Sequence, residues 1–101
     1  MKGYVIGDKD LVLGFRLAGI EGIAVPNVNE ALEVLRRIVN EGNAKIIFIS
    51  EDLSTRIQDE LDIIRSKSNS PIIVEIPRGT EMKAEIPTVQ KLIQGILKIR
   101  V

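Results

Sequence analysis

Residues 5–20, VIGDKDLVLGFRLAGI, hold this chain to a narrow set of folds. A short apolar strand, Tyr4 to Ile6, meets a turn at Gly7 and Asp8. Leu11, Val12, Phe15 and Ala18 then recur at helical spacing until Gly19 ends the run. The strand is apolar on both faces, as a parallel strand covered twice must be. The turn follows the carboxyl end of the strand, where open α/β sheets gather their functional groups. The same alternation of strand and helix recurs downstream, so the later elements add strands beside this one.

Asp8 or Asp10 can cap the first helix. Gly14 inside it costs roughly 1 kcal/mol against alanine, which close packing of helix on sheet would explain. Gly19 fits the position after a helix end, with Ile20 as the apolar residue that follows a Schellman turn. Strand two is Gly22 to Val25, closed by Pro26. Asn27 or Asn29 caps helix two, whose stripe is Leu32, Leu35, Ile38 and Val39. Glu33, Arg36 and Arg37 face water, and Gly42 stops the helix after Glu41. Strand three, Lys45 to Ile49, alternates Ile46 and Phe48 with Ile47 and Ile49, which predicts the central strand. Ser50, Glu51 and Asp52 form its carboxyl-end turn. The spacing of Leu53, Ile57, Leu61 and Ile64 predicts one helix from about Leu53 to Arg65. The loop Ser66 to Pro71 leads to strand four, Ile72 to Ile76, where Glu75 on one face predicts an edge strand.

After Pro77 the composition changes. The stretch Pro77 to Pro87 is rich in proline and charge and reads as a linker. Thr88 caps a last amphipathic helix with Val89, Leu92, Ile93, Ile96 and Leu97 on its apolar side. The expected organisation is an α/β globular body over residues 1–77, a linker over 78–87 and a C-terminal helix over 88–101. Parallel strands in the flavodoxin-like (Rossmann-like) order 2-1-3-4 fit the body best. Helices two and three then cover one face of the four-stranded parallel sheet. Helix one covers half of the other. The half over strands three and four is left for the last helix, or left bare.

Several function classes are disfavoured by composition. The chain has 14 basic and 14 acidic residues, so no cationic excess exists to bind a phosphate backbone. Aromatics are 3%, too few for the stacking platforms that hold single-stranded nucleic acid. There is no cysteine and no histidine, which removes thiolate chemistry, the commonest general base and the commonest zinc ligand. Neither G-x-G-x-x-G nor G-x-x-x-x-G-K-[ST] occurs, so no nucleotide or other cofactor site is expected. No apolar run approaches the ~20 residues of a membrane span. A soluble cytoplasmic protein is the expectation. The one constellation with possible chemistry is acidic. Asp8, Asp10, Glu51 and Asp52 follow the carboxyl ends of adjacent strands, where oxygen ligands can hold Mg²⁺. Helix capping and stabilisation of helix dipoles account for the same acids without a metal. The pattern also resembles receiver domains of response regulators, except that Ser50 or Glu51 stands where a receiver needs a phosphorylatable Asp.

GDKDLVLGFRLAGI at 7–20, IIFISEDL at 46–53 and PIIVEIP at 71–77 together resemble the F subunit of archaeal A-type and V-type ATPases. The three motifs fall in family order, and the resemblance spans the chain. It implies a noncatalytic regulatory subunit of the central stalk, or rotor, in an assembly that couples ATP synthesis or hydrolysis to hydrogen-ion or sodium-ion transport. It also implies pairing with the coiled-coil D subunit. The C-terminal helix, with Val89, Leu92, Ile93, Ile96 and Leu97 as its partner face, would reach the catalytic A/B head and modulate hydrolysis. The protein would lie in the cytoplasm at the periphery of the cell membrane, with no membrane insertion and no nucleic acid partner. The alternative is a receiver-like module that binds Mg²⁺ or a signalling partner through Asp8 and Asp52.

Overall fold

The computed structural model describes residues 2–77. The elements run β1 (Gly3–Gly7), α1 (Lys9–Leu17), β2 (Glu21–Ala24), α2 (Val28–Glu41), β3 (Ile46–Ser50), α3 (Glu51–Ser54), α4 (Gln58–Arg65) and β4 (Ile72–Ile76). The strands form one parallel four-stranded sheet in the order β2-β1-β3-β4, as the alternation predicts. The linker and C-terminal helix predicted for residues 78–101 lie outside the described residues.

Local chemistry explains the helix boundaries. Asp8 caps α1, its Oδ1 accepting from the Leu11 N–H at 2.8 Å. Asn27 caps α2 in the same way through the Glu30 N–H at 2.9 Å. These bonds satisfy N–H groups that have no partner within the helix. At the other end of α1, the Ile20 N–H donates to the Phe15 carbonyl and the Gly19 N–H to that of Arg16, both at 2.9 Å. This is the full Schellman pair, and the φ of 89° at Gly19 is one that side chains oppose. Ile20 packs against the cluster that holds Phe15, so the turn is tied to the core.

Register sets what each face buries. Val5 pairs with Phe48, and Phe48 with Val74; one residue on, Ile6 pairs with Ile49, and Ile49 with Glu75. Ile6, Ile47, Ile49 and Ile73 meet Leu35 and Ile38 of α2, Ile57, and Leu61 and Ile64 of α4. Val5, Ile46, Phe48 and Ile76 belong to the other core, with Val12 and Phe15 of α1. Phe15 and Phe48 stack tilted, ring centroids 4.8 Å apart. β3 is buried along its whole length, as a central strand covered twice must be. β4 is an edge strand, as the charge at Glu75 predicts, and β2 is the other.

The helix predicted from Leu53 to Arg65 is broken. Arg56 and Ile57 donate to the carbonyls three residues back, Leu53 and Ser54, at 3.1 Å each, in place of the four-back α pattern. The turn leaves Ile57 buried. It also carries the Ser54 hydroxyl to a carboxylate on β4. The apolar spacing continues across the break because Ile57, Leu61 and Ile64 still face one core.

Candidate functional site

The carboxyl edge of the sheet carries the predicted acids, and the structure makes one of them, Asp8, a helix cap and sets the others in first turns of helices. Asp8 is the N-cap of α1, and Asp10 lies exposed in its first turn. Glu51 and Asp52 are the exposed first residues of α3. Among the described residues, no three acidic side chains are close enough to hold a metal ion. The predicted partner residues Val89, Leu92, Ile93, Ile96 and Leu97 lie outside the described residues.

Beside these acids, Gly7 and Ser50 make a tight corner. A Cβ on Gly7 would stand 2.7 Å from Leu11 Cδ2 and 3.5 Å from Ser50 Cβ. Ser50 closes β3 with 1% of its surface exposed, and its side chain makes no capping bond to α3. Its Oγ is buried with no hydrogen-bond partner, in contrast to the Ser54 hydroxyl. Below this corner, Ile46 and Phe48 of β3 and Ile72, Val74 and Ile76 of β4 line one apolar half-face. A groove of ≈ 480 Å³ opens elsewhere, lined by Gly42, Lys45, Lys67, Asn69 and Pro71, away from the acids.

A polar cluster on the opposite face is absent from the sequence reading. Glu75 Oε1 accepts from the buried Ser54 Oγ at 2.5 Å and from Gln58 Nε2 at 2.7 Å. Arg65 approaches Oε2 at 3.5 Å. The Ser54 hydroxyl, with Gln58 and Arg65, holds the Glu75 carboxyl below its ordinary value of 4.5, against the effect of burial. Residues 54, 58 and 65 are spaced by four and seven, one side of a helical run. That spacing, opposite a lone acid in an apolar strand, is the signal in the sequence. The cluster fastens the broken helix to the sheet edge.

The sequence model described as "ATP synthase (F/14-kDa) subunit" matches residues 4–93, from β1 into the terminal stretch. This chain belongs to that family of ATP synthase F subunits. It is 35% identical over 100 residues to the A-type ATP synthase F subunit of Methanocaldococcus jannaschii, covering 98% of this chain and 97% of that one. Against the F subunit of Methanothermobacter thermautotrophicus it is 33% identical over 97 residues, 94% of this chain and 91% of the relative. Against that of Methanococcus aeolicus it is 37% identical over 78 residues, 76% and 74% of the two chains. The F-family match takes in the capped turn at Asp8, the corner at Ser50 and the cluster at Glu75. Among the described residues of this F-family chain, no helix is long and apolar enough to cross a membrane.

Proposed function

We propose that this F-family chain is a noncatalytic subunit of the central rotor stalk of an A-type or V-type ATP synthase. It pairs with the coiled-coil D subunit, and its C-terminal helix modulates ATP hydrolysis by reaching the catalytic A/B head. The protein then sits in the cytoplasm, held at the membrane periphery by the assembly that couples ATP to hydrogen-ion or sodium-ion transport. The observation that carries this reading is the family match over residues 4–93, which runs beyond the body into the amphipathic stretch that begins at Thr88.

Residues 1–77 are the folded body, 78–87 the linker and 88–101 the movable helix. A helix of this length is marginal alone in water, so its stripe of Leu92, Ile93, Ile96 and Leu97 needs a surface. The apolar half-face over β3 and β4 supplies one within the chain, and the head supplies another. A partner shifts the population between them by its differential affinity. Removal of residues 88–101 leaves a cooperative thermal transition if the body folds without them.

Reconstitution tests the reading. The chain is expected to co-purify with the D subunit, and L92D/I96D is expected to retain that pairing while changing the ATPase rate of the assembly. An unaltered rate across the ATP range removes the helix as a regulator, and failure to pair removes the stalk assignment.

A further inference from the structure

We propose that the groove at the amino-terminal edge of β3 and β4 is a docking site for an acidic polypeptide segment of a partner protein, whose carboxylates meet Lys45 and Lys67.

The groove of ≈ 480 Å³ lies where α2 and α4 end and β3 and β4 begin. Its cations come from two separate connections, Lys45 from the one into β3 and Lys67 from the one out of α4. Among the described residues, no acidic side chain lines it. Both lysines are exposed, and neither forms an ion pair among those residues. Asn40, Ser68, Asn69 and Ser70 add polar groups, while Ile38 and Ile64 give the lining an apolar part.

Backbone bonds hold the two lysines in place. The Lys45 N–H donates to the Lys2 carbonyl at 2.8 Å, and the Lys45 carbonyl accepts from the Ile72 N–H at 2.9 Å. The Lys67 N–H donates to the Ile64 carbonyl at 3.2 Å. Gly42 and Asn69 turn the flanking chain with φ of 70° and 61°, a conformation that glycine and asparagine take more readily than other residues. Binding then has to order the lysine side chains and not the loops, which keeps its entropic cost low.

Charge selects the occupant. The chain carries no net charge. Yet Asp8, Asp10, Glu51 and Asp52 gather at the carboxyl edge of the sheet, and Lys45 and Lys67 stand at the amino edge. An acidic segment is repelled by the first edge and drawn to the second. A phosphate fits this groove less well. α2 and α4 both end here, and a helix C-terminus carries partial negative charge, whereas phosphate sites favour helix N-termini. The lysines are point charges without the bidentate fork of arginine. No aromatic side chain among the lining residues offers a face for a base to stack on. Two carboxylates spaced along a peptide carry one charge each and can meet two separate ammonium groups.

Titration of the full chain with hexaglutamate, followed by amide NMR, tests this. Saturable shifts are expected at residues 42–45 and 67–70 and at no other cluster of amides, with binding that weakens as salt rises. K45Q/K67Q is expected to raise the Kd by roughly 2- to 30-fold, as the loss of two exposed charge pairs would. K45R/K67R, which keeps both charges, is expected to stay near the wild-type Kd. Inorganic phosphate at equal ionic strength is expected to give no saturable shift at the groove. Failure of hexaglutamate to saturate, shifts centred elsewhere, or an unchanged Kd in K45Q/K67Q each overturns the docking site. A K45R/K67R as weak as K45Q/K67Q overturns the role of charge. Phosphate that binds there as tightly as hexaglutamate overturns the acidic segment as the occupant.

Discussion

Replacing Glu75 tests whether the polar cluster holds the broken helix to the sheet. In E75A the Ser54 hydroxyl loses its 2.5 Å acceptor but keeps the Glu51 carbonyl at 3.2 Å. Gln58 Nε2 likewise loses Oε1 and keeps the Ser54 carbonyl at 3.0 Å. No buried donor is stranded, so the loss is that of the charge-assisted bonds themselves. A hydrogen bond to a charged group contributes about 1.5–3 kcal/mol. With fallback acceptors in place, the sum over Ser54 and Gln58 should be about 2 kcal/mol. The Arg65 contact, at 3.5 Å and with both side chains about a third exposed, adds little. For a domain of this size that corresponds to a fall in Tm of roughly 8–16 °C. E75Q keeps a neutral acceptor for both donors and should cost about 0.5–1 kcal/mol.

The two variants also differ from wild type in pH dependence. The folded carboxyl titrates below the ordinary 4.5 of the unfolded chain. Its contribution is therefore present above pH 4.5 and lost as pH falls through the lower folded value. E75Q and E75A should lack that part of the acid loss. Urea unfolding followed by far-UV circular dichroism at neutral and acid pH measures both effects. An E75A stability within ~0.5 kcal/mol of wild type at pH 7 would refute the clamp. So would an E75Q variant that keeps the full acid loss.

If Asp8 acts as a cap, D8N should be nearly neutral and D8A should cost about 1 kcal/mol in thermal unfolding; equal, large losses in both would contradict capping. A Mg²⁺ titration followed by amide NMR should give no saturable shifts confined to Asp8, Asp10, Glu51 and Asp52, and such shifts would revive the receiver-like reading. A Cβ at Gly22 would lie 2.1 Å from Val5 Cγ1 and 2.6 Å from the Val5 carbonyl oxygen, so G22A should destabilise by about 3 kcal/mol, the upper end of overpacking costs. A soluble, equally stable G22A would show that β1 and β2 can part without penalty.

Much of the fold was legible because it is written in local chemistry. The period-two alternation at Ile46 to Ile49 marks β3 as buried on both faces, and the structure places it in the centre. Glycines 19 and 42 mark helix ends that have positive φ. The choice between Asp8 and Asp10, or Asn27 and Asn29, was not legible. Either member of each pair has the side chain for a cap; in the structure Asp8 and Asn27 hold the extended backbone of the cap position and accept from the N–H three residues on. The break at Thr55 to Ile57 was hidden because the apolar spacing runs through it.

The sequence by itself determined the strand order, the buried faces of α1, α2 and α4 and the family, because periodicity, caps and motifs act within a few residues or persist as a pattern. Tertiary structure decided what distant side chains do to one another. Ser54 and Glu75 lie 21 positions apart and meet only because β3 and β4 pair in register. Ser50 and Ser54 carry the same hydroxyl four residues apart in one stretch of chain. One finds a carboxylate on a neighbouring strand, and the other is closed off from water with no acceptor. A serine is compatible with either fate, and only the packing of the sheet assigns them.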